Sequence, residues 1–180
     1  NVNRKLSLGA CKCGFLPKVA LANIHMWEEP CISGTNGSGT VFFTGCNLNC
    51  KFCQNYKISQ EYLGKEIEIE ELADKFLMLQ DKGANNINLV TGFMYIPQII
   101  ETIKIAKTKG LKLPIVYNSS GYENIDNGTK IGFYIKDEFL PNYYYEGLYV
   151  PYMENVTHFL RTAQKYGVYV MLTLGDADVP

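Results

Sequence analysis

The sequence predicts an α/β fold with parallel strands, laid out as an open sheet or as a partial barrel. Three observations carry this expectation. Short runs rich in β-branched and aromatic residues at 39–44, 86–91 and 113–117 read as buried strands. Between them, segments 70–82 and 97–109 space their apolar residues three and four apart, the pattern of one helix face. Each of those segments stops at a glycine and gives way to the next strand, and such alternation favours right-handed crossovers between parallel strands.

The first strand, Gly39-Thr40-Val41-Phe42-Phe43-Thr44, runs straight into Gly45-Cys46. A helix follows from Glu70 to Lys82, with Leu72, Phe76 and Leu79 on its apolar face and Gly83 as its stop. Lys82 in the last turn suits the negative end of the helix dipole. The second strand is Asn86 to Thr91. The second helix opens on Pro97, which suits a first turn, and carries Ile99, Ile100, Ile103 and Ala106 before Gly110. Leu113 to Tyr117 is the third strand. In this class of fold ligands gather where strands end, and the cysteine loop, Thr91-Gly92 and Asn118-Ser119-Ser120-Gly121 all fall at that edge.

Composition narrows the function classes. Seventeen basic and 18 acidic side chains leave a net charge of −1, so there is no broad electrostatic footprint for nucleic acid or a membrane surface. Hydrophobic residues at 47% exclude a disordered chain. No apolar run approaches the roughly 20 residues needed to cross a bilayer, and residues 1–5 lead into no signal peptide. The absence of an initiator Met is read as a missing start. These features describe a soluble, cytoplasmic protein.

All six cysteines, Cys11, Cys13, Cys31, Cys46, Cys50 and Cys53, lie in the first 53 residues. Tight clustering in a chain without secretory features points to metal or redox chemistry rather than a disulfide scaffold. Cys46-Asn47-Leu48-Asn49-Cys50-Lys51-Phe52-Cys53 is a CxxxCxxC run with an aromatic residue before its last cysteine. Thiolate ligands favour iron–sulfur clusters, zinc or Cu(I). Structural zinc wants four ligands, whereas three thiolates on a four-iron cluster leave one iron open to bind and activate another molecule. Cys31 reads as a buried structural thiol.

This loop resembles the defining motif of the radical S-adenosylmethionine superfamily, and the flanking text is similar to its pyruvate formate-lyase-activating-enzyme-like subgroup. The matching text is Ile32-Ser33-Gly34, Gly37 to Phe43 and Gln54-Asn55-Tyr56, with Val2-Asn3-Arg4 and Cys11-Lys12-Cys13-Gly14 upstream. The resemblance covers residues 1–125 and implies a partial (βα) barrel of radical SAM type. It divides the chain into a cysteine-containing leader over 1–37, a core over 38–125 and an atypical α/β segment over 126–180. It implies that Cys46, Cys50 and Cys53 ligate three irons of a 4Fe-4S cluster, with S-adenosyl-L-methionine chelating the fourth. Reductive cleavage of the sulfonium would give methionine and a 5′-deoxyadenosyl radical, which abstracts hydrogen from a substrate. In activating enzymes that substrate is a glycine of a partner protein, and an electron donor such as flavodoxin or ferredoxin feeds the cluster.

Three further assignments follow from the resemblance. Phe52 would lie beside the adenine. Thr91-Gly92 stands where many members carry a Gly-Gly-Glu-like run that holds the methionine amino group, though this chain has neither the second Gly nor the Glu. Asn118, Ser119 and Ser120 resemble the segment that hydrogen-bonds the ribose; a polar helix-capping turn is the plainer reading. His25 reads as a packed histidine, Glu28 and Glu29 as solvated or capping, Cys11 and Cys13 as structural thiols or a second metal site, and His158 as a surface residue.

After Ile125 the composition shifts, with eight of the 13 tyrosines and no cysteine. The stretch 131–138 is a poor match for the next family element, and Tyr143 to Tyr145 reads as irregular. Glu154 to Tyr166 predicts a helix, and Val168 to Leu174 a strand that extends the sheet. That last unit faintly resembles barrel-fold glycoside hydrolases. Two alternatives therefore stand beside the radical reading. One is a zinc-binding interaction module; the other is a glycosidase-like fragment using paired acids such as Glu138, Glu154 or Asp176.

Overall fold

The computed structural model describes residues 3–9, 11–28, 30–119 and 169–172, with the backbone path alone for Cys31, Ser119 and 169–172. Its centre is a mixed, open sheet. The strands are β1 (Lys18–His25), β2 (Ser38–Phe43), β3 (Lys65–Glu66), β4 (Ile87–Val90), β5 (Ile115–Ser119) and β6 (Tyr169–Leu172), in the spatial order β3-β1-β2-β4-β5-β6. The run β2-β4-β5-β6 is parallel throughout, as the strand–helix alternation requires. β1 and β3 add an antiparallel edge that sequence periodicity did not announce.

Two long helices cross between the parallel strands: α3 (Ile69–Asp81) and α4 (Ile96–Thr108). Two single-turn helices, α1 (Pro30–Ser33) and α2 (Tyr56–Ser59), flank the cysteine-bearing segment. α3 starts with Glu70 and Glu71 in its first turn, where the dipole favours acids. Both long helices close with the same pair of bonds. Ala84 N–H donates to the Leu79 carbonyl and Leu111 N–H to that of Ala106, each past a glycine with positive φ.

The core lies on one face of the sheet. Alternation along each strand sends Val41 and Phe43, Ile87 and Leu89, and Ile115 and Tyr117 to the side where Leu72, Phe76 and Leu79 of α3 and Ile99 and Ile103 of α4 are buried. Fully burying each such aliphatic or aromatic side chain stabilises the fold by about 1.5–3 kcal/mol before chain entropy is charged.

The edge of the sheet away from the cysteines is held by a buried polar network. Ser38 Oγ donates to Asn86 Oδ1 at 2.6 Å, and Asn86 Nδ2 donates to the Ile32 carbonyl at 2.7 Å. Asn85 Nδ2 reaches the Ser33 carbonyl at 2.5 Å, while its backbone N–H donates to Gly37. The Ile32-Ser33-Gly34 and Gly37 to Gly39 text is therefore scaffolding: it ties α1 and the start of β2 to the start of β4.

The strand expected over 168–174 is present as β6 and pairs with β5, Val116 opposite Tyr169 and Ser119 opposite Leu172. The expected helix over 154–166, the 131–138 and 143–145 stretches, His158 and the acids Glu138, Glu154 and Asp176 lie outside the described residues, as does Glu29. Among the described residues no helix is long and apolar enough to cross a membrane.

Two outcomes follow. Asn86→Ala leaves Ser38 and the Ile32 carbonyl unpaired in a buried site, and thermal denaturation should show a loss of about 1–3 kcal/mol. Deleting residues 126–180 removes β6 and bares the edge of β5, so the shortened chain should aggregate or be proteolysed far faster than the full chain in a timed protease digest.

Candidate functional site

Parallel register sets the three strand ends level. Phe42 of β2 stands beside Val90 of β4, and Val90 beside Asn118 of β5. The residues that follow therefore emerge at one edge: Thr44-Gly45-Cys46 from β2, Thr91-Gly92 from β4, and Ser119 from the end of β5. Thr91 N–H donates across that edge to the Asn118 carbonyl at 3.2 Å. Ser120 lies outside the described residues, and of Ser119 only the backbone is placed.

Thr91 has φ of 59°, left-handed backbone that a β-branched residue rarely adopts. The turn ends β4 at Val90 and lets the chain enter the short 3-10 turn Phe93–Tyr95 that leads into α4. Gly92 is needed for space. A Cβ there would stand 2.7 Å from Ile99 Cδ1 and 3.3 Å from the Phe43 ring, both in the packed core. Strain of this kind collects at functional sites.

The cysteine loop leaves β2 through Gly45, whose φ is 95° and whose Cβ, if present, would lie 2.4 Å from Cys13 Sγ. Gly45 N–H donates to the Ile58 carbonyl, folding α2 back under the loop. Cys46, Cys50 and Cys53 are free, half-buried thiols. Gln60 Nε2 donates to the Cys50 carbonyl at 2.9 Å, and Cys53 Sγ lies 3.3 Å from Ser59 Oγ. Among the described residues no three His, Cys, Asp or Glu side chains meet closely enough to hold a single metal ion. A cluster with one thiolate at each of three corners asks for wider spacing than one ion does, and the donor set suits it. Phe52 is 88% exposed, so its ring is not packed into the protein.

The leader supplies the floor of this loop, a role that sequence reasoning missed. The Thr44 carbonyl faces the buried Cys13 thiol at 3.5 Å and the Tyr95 hydroxyl at 3.4 Å. Thr44 Oγ1 donates to the Leu63 carbonyl at 2.7 Å and its N–H to that of Lys18. Arg4 stacks over the Tyr95 ring, 5.1 Å from its centroid, and its guanidinium donates to the carbonyls of Gly14 at 2.5 Å and of Met94. Burial, then the bond to Cys13, pushes the Tyr95 hydroxyl far above its usual range. His25 packs edge-on against Phe42 with centroids 6.1 Å apart and stands 3.3 Å from Glu28. It sits at the end of β1 that pairs with Ser38, the far end of β2 from the cysteines. The Cys31 side chain lies outside what is described.

Cys11 and Cys13 act as a pair. The hydrogen bond from Cys13 pulls the Cys11 thiol from 9.0 down to about 6, with the Arg4 charge helping and burial opposing. The same shared bond, reinforced by burial, pushes Cys13 well upward. Of the pair, Cys11 is therefore the one favoured as a thiolate and Cys13 the one that holds the shared proton. Alkylation with iodoacetamide at pH 7, followed by peptide mapping, should label Cys11 with a rate midpoint near pH 6 and leave Cys13 unlabelled.

The family model of the Radical SAM superfamily matches residues 40–138, more than half of the chain. An uncharacterized protein of Methanocaldococcus jannaschii is 30% identical over 132 residues, 69% of this chain and 37% of that protein. The pyruvate formate-lyase-activating enzyme of Clostridium pasteurianum is 28% identical over 118 residues, 62% of this chain and 50% of that enzyme. The chain thus spans half or less of the length of these curated relatives. No solved structure gave a significant match. The matched span opens inside β2 and takes in the cysteine loop, Thr91-Gly92 and the end of β5, and on that match the chain belongs to the radical SAM superfamily.

Proposed function

We propose that this chain is the core of an activating-enzyme-like radical S-adenosylmethionine oxidoreductase, folded as a partial (βα) barrel. The observation that carries the reading is one of placement. A loop bearing three free, half-buried thiols leaves β2 at the edge where Thr91-Gly92 and Asn118 also emerge. Cys46, Cys50 and Cys53 would hold a 4Fe-4S cluster, with S-adenosyl-L-methionine on the open iron. When bound, that pair supplies one-electron cleavage of the sulfonium and a 5′-deoxyadenosyl radical.

The chain's own residues orient and shield this chemistry. With Cys53 on the cluster, the Ser59 hydroxyl, 3.3 Å from Cys53 Sγ, would donate to the ligating sulfur and steady it. Gln60 fixes the Cys50 backbone, and the Thr44 anchors stop the loop from swinging. The strained turn at Thr91 would offer backbone to the methionine amino group in place of the Gly-Gly-Glu-like run. Asn118, Ser119 and Ser120 would serve the ribose. The exposed Phe52 ring is free to lie on the adenine, and covering it on binding would bury apolar surface.

The division at 37/38 and at 125/126 belongs to the same reading, although the leader's β1 pairs with β2 of the core in one sheet. The likeness to an activating enzyme favours a glycine of a partner protein as hydrogen donor, with flavodoxin or ferredoxin as the source of electrons in the cytoplasm.

Anaerobic reconstitution with iron and sulfide is the test. The wild-type chain should take up about four irons, absorb broadly near ~400 nm and form 5′-deoxyadenosine when reduced with S-adenosylmethionine. Cys46→Ala, Cys50→Ala or Cys53→Ala should each abolish both signals, and Cys31→Ala should keep them. A Cys46→Ala protein with an unchanged spectrum would contradict the assignment.

A further inference from the structure

The turn over 9–13 brings two thiols together. Gly9 N–H donates to the Cys13 carbonyl at 3.0 Å and Lys12 N–H to that of Gly9 at 2.9 Å, which closes the chain on itself. Lys12, between the cysteines, has φ of 53°, and its ammonium lies 5.2 Å above the centre of the Tyr62 ring. Left-handed backbone at the middle residue sets the flanking Cα atoms about 5.5 Å apart, inside the range a disulfide spans. The two side chains already share a hydrogen bond. Cys11 is half-buried and reachable from solvent, whereas Cys13 is buried.

The Cys13 proton also matters to the cysteine loop. Besides the Cys11 sulfur, the acceptors around it are the Cys11 carbonyl at 3.2 Å and the Thr44 carbonyl at 3.5 Å. Cys13 Sγ also fills the space over Gly45, where a Cβ would stand 2.4 Å from it. Thr44 and Gly45 are the last residues before Cys46. Burial, then the charges of Cys13, Cys11 and Cys46, push the Tyr62 hydroxyl upward, so the pair and the first cysteine of the loop lie around one ring.

We propose that Cys11 and Cys13 form a reversible disulfide, a redox-sensitive switch that loosens the root of the cysteine loop when it closes. The oxidant is a low-molecular-weight disulfide. The Cys11 thiolate attacks one of its sulfurs and expels a thiolate, leaving a mixed disulfide on Cys11. Cys13 then attacks the Cys11 sulfur, its proton leaves with the second small thiol, and the Cys11–Cys13 bond is formed. Two protein thiols are oxidised, and one small disulfide is reduced to two thiols. Closing the bond removes the thiol proton that faces the Thr44 carbonyl and draws Cys13 Sγ toward Cys11, away from Gly45. Thr44 then keeps the Tyr95 hydroxyl but loses the floor beneath it. The consequence for a bound cluster, weaker retention under oxidising conditions, rests on the proposed radical reading; the switch itself does not.

The test uses the full chain without iron, treated anaerobically with glutathione disulfide and then digested. Trypsin cuts after Lys12, so closure of the switch joins peptides 6–12 and 13–18. That linked pair should form before any disulfide among Cys46, Cys50 and Cys53, and dithiothreitol should part it. In the linked form iodoacetamide should label Cys46 about fivefold faster than in the reduced form, the effect of losing one hydrogen bond at the loop's root. Cys11→Ser should show no such rise. Peptides that stay separate, a disulfide that forms first among the loop cysteines, or an unchanged rate at Cys46 would each overturn the switch. An equal rise in Cys11→Ser would do so too. A chain that passes both readouts yet takes up no iron keeps the switch and loses the radical reading. One that forms 5′-deoxyadenosine while peptides 6–12 and 13–18 stay separate does the reverse.

Discussion

Parallel register between β2, β4 and β5 is the constraint on which the rest of the site depends. Phe42, Val90 and Asn118 stand level, so three loops from distant parts of the chain begin at one edge. Register in a parallel sheet is fixed by which residues are buried, because a slip of one residue would turn Val41, Leu89 and Tyr117 out of the core. The buried bonds among Ser38, Asn86 and Ile32 lock the same register from the opposite end. The site therefore inherits its geometry from the packing of α3 and α4.

A second layer of order comes from the leader. Thr44 is the last fixed point before the cysteine loop, and Cys13, Tyr95, Lys18 and Leu63 all hold it. Arg4 joins this group to Gly14 and Met94 through backbone carbonyls. Under the proposed function, a loop holding three thiolates at separate corners of one cluster would gain from such a rigid root, since small displacements of ligands change affinity and potential. The cysteines occupy two environments: Cys13 is buried as a floor, its thiol pushed upward by its bond to Cys11 and by burial, and Cys46, Cys50 and Cys53 are half-buried.

Much of this was legible in the sequence, for physical reasons. Helical spacing of Leu72, Phe76 and Leu79, and of Ile99 and Ile103, marks the faces that the structure buries. The CxxxCxxC loop was visible because its residue types are chemically unusual and close in sequence. β1 was hidden because β3 covers it only at Lys18 and Val19, and a strand so lightly covered needs little apolar alternation: Leu21 is 52% exposed and Asn23 is exposed too. β4 ends at Val90, one residue short of the strand the sequence predicts, because nothing in the residue type of Thr91 announces a left-handed turn. Arg4, Cys13 and Tyr95 meet only through folding, Arg4 and Tyr95 being 91 positions apart, so no local pattern could join them.

The central claim is that the cysteine loop holds a cluster whose open iron takes the methionine end of S-adenosylmethionine. Electron–nuclear double resonance on the reduced, reconstituted protein addresses it directly, using S-adenosylmethionine labelled with 15N at the amino group and 17O at the carboxylate. The account predicts that both labels couple to the cluster spin, showing that both groups ligate iron. A reduced cluster whose spectrum shows no coupling to either label would contradict it.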